Sequence, residues 1–153
     1  MTLYLVRHGS AGRRNNSDPS DTRRHLDDKG HRQAVAVRDH LSVQPIERVV
    51  SSPLPRCVET VEPLAHALGL TVEIDDRLRE GTDIDGAWSL LEEVADTTVA
   101  LCSHGDLIPD LLQRNEMRGM RTGSKVGFSK GSVWALDGWD GSHFAKGSWD
   151  KLR

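Results

Sequence analysis

The chain has 153 residues, 37% of them hydrophobic and 28% charged, with a formal net charge of −3. That is about one domain with enough apolar content to build a core, and it excludes disordered and collagen-like classes. No apolar run exceeds a handful of residues, far short of the roughly 20 that a membrane span needs, and Arg7 and His8 interrupt the first one before a signal peptide could form. A single soluble, cytoplasmic domain over 1–153 with no membrane partner is the expectation.

The charge is unevenly spread. Residues 1–40 hold eight Lys/Arg against five Asp/Glu, residues 41–111 four against fourteen, and residues 112–153 eight against four. Basic ends flank an acidic middle, and a nucleic-acid footprint would need stronger, more contiguous basicity. The two cysteines, Cys57 and Cys102, fall in a helix-like and a strand-like apolar run and show no zinc spacing, so buried reduced thiols are expected.

In chain order, Thr2–Val6 reads as a buried strand running out into glycine, and residues 9–25 as a long polar loop. Ala34, Val37 and Leu41 recur at helical spacing and predict an amphipathic helix from about Lys29 to Leu41. Glu47–Ser51 is a short second strand. Ser51-Ser52-Pro53 opens a helix that runs to Leu68 and is closed by Gly69, with Pro63 as a candidate kink. Leu70–Ile74 is a third strand, Asp85–Ala95 a helix, and Thr97–Cys102 a fourth, almost wholly apolar strand. A helix through Leu107, Ile108, Leu111 and Leu112 follows Ser103-His104-Gly105-Asp106. Residues 114–131, with four glycines and five Lys/Arg, read as a loop. Strands near Ser132–Leu136 and His143–Trp149 finish the chain, with Gly-Trp-Asp-Gly as their turn. Asp83-Ile84-Asp85-Gly86 lacks the later glutamate of a calcium loop.

Strands alternating with helices predict a three-layer α/β/α sandwich around a mostly parallel sheet, the late hairpin adding antiparallel edge strands. Ligands in such sheets bind beyond the carboxyl ends of the strands. Three strands there deliver polar residues: Arg7-His8-Gly9, Ser51-Ser52 with Arg56 one helical turn on, and Ser103-His104-Gly105. Two histidines and two arginines would meet at one edge. Arginine forks match phosphate oxygens, the helix start after Ser52 offers free N–H groups, and glycines after each histidine let backbone approach a ligand. A dianionic phosphoryl group suits this set. One neutral histidine would act as nucleophile and the other, protonated, as a donor to the phosphoryl oxygens. Gly9, Ser10, Ser52 and Gly105 complete the candidate substrate-binding residues. His25, His31, His40, His66 and His143 lack such surroundings.

The pattern resembles the histidine phosphatase superfamily, also called phosphoglycerate mutase-like. Leu5-Val6-Arg7-His8-Gly9 resembles its RHG hallmark. Leu26-Asp27-Asp28-Lys29-Gly30 with Gln33-Ala34 resembles its L-x-x-x-G-x-x-Q-A segment. Ser51-Ser52-Pro53-Leu54-Pro55-Arg56 with Glu59-Thr60 resembles S-S-P-L-x-R-x-x-x-T, and Ser103-His104-Gly105 the late S-H-G. The resemblance implies His8 as nucleophile, Arg7, Arg56 and His104 as phosphoryl-binding residues, no metal or cofactor, and a general acid after the third strand. Leu78-Arg79-Glu80 resembles the family's L-x-E and gives Glu80 that role.

The short chain is similar to compact SixA-type phosphohistidine phosphatases. Lys130–Trp134 and Ile108-Pro109-Asp110 also resemble the phosphatase half of actinobacterial MutT-type proteins, although no Nudix box is present. The implied activity is hydrolysis through a phosphohistidine on His8. A protein phosphohistidine is the first expected substrate, and a small phosphoester or nucleoside polyphosphate the alternative, which a working Glu80 would favour. Arg114, Arg118, Arg121, Lys125 and Lys130 read as a solvated basic face, or, with Arg13 and Arg14, as a surface that meets further charge on a polyanionic substrate. Two rivals are a metallohydrolase built on His8, His104 and Asp106, and a phosphate-binding module without catalysis.

Overall fold

A computed structural model describes residues 1–13, 17 and 22–152. Among the described residues seven strands form one sheet in the order β3-β2-β4-β1-β6-β7-β5. β1 (Thr2–Arg7), β2 (Arg48–Ser51), β3 (Val72–Ile74) and β4 (Val99–Ser103) are parallel to their neighbours among one another, whereas β6 (Val133–Trp139) runs antiparallel to β1. β7 (Phe144–Asp150) pairs antiparallel with β6, and the two-residue β5 (Arg121–Thr122) closes the edge parallel to β7.

The period-two alternation of the central strands divides the core into two layers. Leu3 and Leu5 of β1 and Val99 and Leu101 of β4 pack against α3 (Ile84–Val94) and α4 (Leu107–Met117). Tyr4, Val6, Ala100 and Cys102 face the other way, against α1 (Asp28–Leu41) and α2 (Pro55–Leu68). Both sheet faces are therefore covered, which explains why β4 reads as an unbroken apolar run: all five of its residues are buried. Both cysteines are buried and free. No helix among the described residues is long and apolar enough to cross a membrane.

Several boundaries differ from expectation. α4 continues to Met117 and β5 interrupts the remainder, so the expected 114–131 loop is shorter and partly ordered into regular elements. β3 begins at Val72, two residues later than expected. The hairpin turn lies at 140–143, where Asp140 Oδ1 accepts from the N–H groups of Ser142 and His143, so Gly138 and Trp139 belong to β6. α2 begins at Pro55 and runs through Pro63 to a left-handed Gly69 with φ +69.

The loop after β1 is held down on α1 by glycine. A Cβ on Gly30 would run into the Ser10 carbonyl oxygen and crowd Leu26. Alanine is otherwise about 1 kcal/mol better than glycine in a helix. Gly30→Ala is expected to lower the thermal unfolding midpoint, because the clash costs about 1–3 kcal/mol. A raised midpoint would show that α1 and the loop are not in contact at this point.

Candidate active site

The site starts from register. β1 pairs with β4 so that Arg7 lies beside Ser103, and β2 pairs with β4 so that Ser51 lies beside Cys102. The residues that follow remain tied across the sheet: His8 N–H donates to the Ser103 carbonyl at 3.1 Å and Ser52 N–H to the Cys102 carbonyl at 3.0 Å. Adjacent parallel strands thus deliver His8 and His104 side by side, with ring centroids 5.3 Å apart and the rings edge-on.

His8 is buried, with 5% exposure, and its Nδ1 lies 2.8 Å from the Gly9 carbonyl oxygen. Only a protonated Nδ1 can donate there, so the neutral ring carries its lone pair on Nε2. Burial is the largest influence on its ionisation, and the positive charges of Arg56, Arg7 and Lys130 act the same way, against the opposing pull of the Gly9 carbonyl. Together they push the His8 pKa down to about 3. The ring is a neutral nitrogen base surrounded by cations.

His104 is fully buried, with Nε2 2.9 Å from Ser52 Oγ and 3.4 Å from Cys57 Sγ. Ser52 Oγ also accepts from Leu54 N–H at 3.3 Å. Expected as a ligand contact, Ser52 is thus engaged with His104 and the approach to α2. Arg56, in the first turn of α2, is also fully buried, and its Nη2 donates to Glu80 Oε2 at 3.1 Å. Two tethers place Glu80: Ser103 Oγ donates to the Leu78 carbonyl at 2.7 Å, and Gly81 N–H donates to Asp106 Oδ2 at 2.8 Å. Asp106 therefore turns to the Glu80 loop. Among the described residues no three His, Cys, Asp or Glu side chains form a group able to hold a metal.

Arg7 is half-buried, and its Nη1 donates to the Phe128 carbonyl at 2.9 Å. Its buried Nε has no hydrogen-bond partner among the described residues, leaving a donor for an oxyanion. Gly105 makes room for this guanidinium: a Cβ there would lie 2.7 Å from Arg7 Cζ. Gly9 works similarly. A Cβ on it would come within 3.1 Å of Gly30 and Gln33, and its N–H donates to Thr60 Oγ1 at 2.9 Å. Both glycines were expected to admit the ligand; the structure uses them for close packing of the parts that would hold it.

Ser10 ties the loop to α1 instead of lying open. Its N–H donates to Gln33 Oε1 at 2.7 Å and its hydroxyl to Asp27 Oδ2 at 2.7 Å. Asp27 caps α1 through Gly30 N–H at 2.8 Å, and these hydrogen bonds, Ser10's first, hold its carboxyl down at about 2. Thr60 Oγ1 donates onward to the Arg56 carbonyl at 2.6 Å. Asp27, Gln33 and Thr60 received no role from sequence. Their signal lay in fixed offsets from Gly30 and Arg56, which only the fold converts into contacts.

The basic residues from Arg114 onward divide. Arg114 pairs with Asp85 at 2.8 Å, and both Arg114 and Arg118 lie over the Trp88 ring of α3. Of this group, Lys130 is the one whose charge reaches His8. Arg13 is exposed, and Arg14 lies outside the described residues.

Comparison with known proteins agrees with this arrangement. The model of the histidine phosphatase superfamily (branch 1) matches residues 3–86. An 8-oxo-(d)GTP phosphatase of Mycolicibacterium smegmatis is 33% identical over 149 residues, covering 92% of this chain and 45% of the relative. The chain thus spans under half the length of the curated relatives it matches. The protein histidine phosphatase SixA, solved with tungstate, superposes with a TM-score of 0.74 at 21% identity, covering 98% of this chain and 94% of that one. A mycobacterial glucosyl-3-phosphoglycerate phosphatase superposes with a TM-score of 0.68 at 22% identity, covering 97% and 96%. The last two likenesses are of fold.

The depressed value of His8 makes a signed expectation. An unfolded histidine takes up its proton near pH 6.5, whereas folded His8 does so only near 3. Between these values the unfolded state binds the extra proton, so His8 makes stability rise with pH. NMR of the ring nitrogens is expected to show neutral His8, protonated on Nδ1, throughout pH 5–8. In His8→Asn, the stability slope between pH 4 and 6 is expected to be shallower by about 1.4 kcal/mol per unit. A ring that titrates near 6.5 contradicts the assignment.

Proposed function

The chain belongs to the histidine phosphatase superfamily, and on that premise we propose that it hydrolyses phosphoryl groups through a covalent phosphohistidine on His8 Nε2. The observation that carries this reading is the buried His8 ring, its Nδ1 held on the Gly9 carbonyl and its centroid 5.3 Å from that of His104, with the charges of Arg56 and Arg7 acting on it. A dianionic phosphoryl group complements these cations, and water has been excluded from much of the cluster, so its charge is stabilised more strongly than it would be in solution.

The Nε2 lone pair attacks phosphorus while the bond to the leaving oxygen breaks. Arg7, Arg56 and His104 hold the non-bridging oxygens. Glu80 rests as a carboxylate on Arg56; the arriving dianion competes for that guanidinium, and the released carboxylate takes a proton from solvent and passes it to the leaving oxygen. Water then attacks the phosphohistidine, Glu80 takes the proton, and inorganic phosphate departs with His8 neutral again. The reaction uses a phosphorylated substrate and water, with no cofactor.

The seat of Glu80 supports an oxygen leaving group, meaning a phosphoester or a phosphoanhydride such as a nucleoside polyphosphate, because a phosphohistidine leaves without much acid assistance. A protein phosphohistidine is the second reading, favoured by the SixA-like fold over nearly the whole chain.

His8→Ala is expected to lower turnover of p-nitrophenyl phosphate by at least ~10³-fold with an unchanged circular dichroism spectrum. Turnover by the unsubstituted protein is expected to survive EDTA, and loss on chelation with rescue by a divalent ion would contradict the mechanism. Glu80→Gln is expected to slow an alkyl phosphoester by about 10²-fold and a phosphohistidine peptide hardly at all. The opposite pattern would favour the second reading.

A further inference from the structure

A groove of about 770 Å³ opens beside the site, between α1, the segment 129–131 and residues 151–152. Five cations line it: Arg7, Lys29, Arg32, Lys130 and Lys151. Among the described residues none of the five is within ion-pairing distance of a carboxylate. The contrast with the acidic middle of the chain is sharp. There Arg48 pairs with Glu73, Arg56 with Glu80, Arg77 with Asp75 and Arg79 with Asp76. Two carboxylates close to these residues in sequence or charge are held elsewhere: Asp27, whose charge reaches Lys130, by Ser10, Gly12 and Gly30, and Asp150 by His40 and Leu152 N–H.

The groove meets the phosphoryl site at Arg7, which lines it and ends β1 next to His8. Gln33 forms its wall and bridges its two sides, accepting from Ser10 N–H at 2.7 Å and donating to the Lys130 carbonyl at 3.0 Å. Gly131 N–H donates to the Arg7 and His8 carbonyls, which fixes Lys130 between pocket and groove. Partial burial and the charge of Arg7 both press on the Lys130 ammonium, lowering its pKa. Like charges gathered in one groove repel each other, and a bound anion relieves that repulsion.

We propose that this groove is a second anion subsite, holding another phosphoryl group of a small polyphosphorylated substrate while the transferring group lies on His8. The inference rests on the hydrolytic reading above and narrows it to substrates with two or more phosphoryl groups. Arg7 spans both places, and Lys130 stands between them. Lys29, Arg32 and Lys151, none of which touches the reacting group, supply selectivity through charge.

The test compares Arg32→Glu/Lys151→Glu with the unsubstituted protein, using tripolyphosphate and p-nitrophenyl phosphate as substrates. The double variant is expected to raise KM for tripolyphosphate at least about tenfold with kcat within about twofold, and to leave p-nitrophenyl phosphate kinetics unchanged. Arg32→Lys/Lys151→Arg, which keeps the charge, is expected to restore the KM. An unchanged KM for tripolyphosphate, or equal losses on both substrates, overturns the subsite. A loss confined to a phosphorylated acidic protein also overturns it, assigning the groove to a protein surface. If the unsubstituted protein turns over neither compound, the hydrolytic reading fails and calorimetry with tripolyphosphate on His8→Ala decides the groove separately. Binding abolished by the double substitution sustains the subsite, and binding that is unaffected removes it.

Discussion

Everything in the site turns on the burial of the Arg56 guanidinium, which has no exposed surface. Removing a charge from water costs several kcal/mol unless other groups answer it. Glu80 answers in part, from a loop that is itself held by Ser103 and Asp106. The same positive charge helps keep His8 from taking a proton. A ring that must stay neutral and a guanidinium that must stay charged are thereby made mutually supporting, and a dianion entering between them relieves the cost of both.

The rest of the architecture keeps those groups close. Parallel strands set His8 and His104 side by side, and α2 carries Arg56 to them from beneath. Thr60 links the two levels, accepting from Gly9 and donating to the Arg56 carbonyl. Glycines at 9, 30 and 105 let backbone and guanidinium approach where a methyl group would intrude. The polar residues flanking the histidines are accordingly mostly spent on one another. Ser10 holds the loop to α1, and Ser52 supports His104.

The sequence disclosed the site's members far better than their duties. Arg7, His8, Arg56 and His104 were legible because cationic residues directly after apolar strands have no use in a core, and a parallel sheet brings strand ends together. Alternation of strands and helices likewise gave the layered fold. Gly9, Ser10 and Ser52 read as ligand contacts because small polar residues beside a reactive one look like them; the internal partners that also hold the two serines, Gln33, Asp27 and His104, stand 17 to 52 positions away, where local sequence does not show them. Arg114 and Arg118 were open to two readings for a related reason. A basic run looks like a surface for anions until helix α4 extends through it and turns the two arginines onto Trp88. The groove escaped notice because Lys29, Arg32 and Lys151 come from opposite ends of the chain.

The central claim is that His8 Nε2 carries the phosphoryl group during turnover. Quenching a reaction with radiolabelled substrate in alkali, and locating the label by peptide mass spectrometry, tests it most directly. One acid-labile phosphoryl group per chain is expected on His8, attached at Nε2 and absent from His8→Ala. Label on a different residue, or turnover at full rate with no labelled protein at any time, would contradict it.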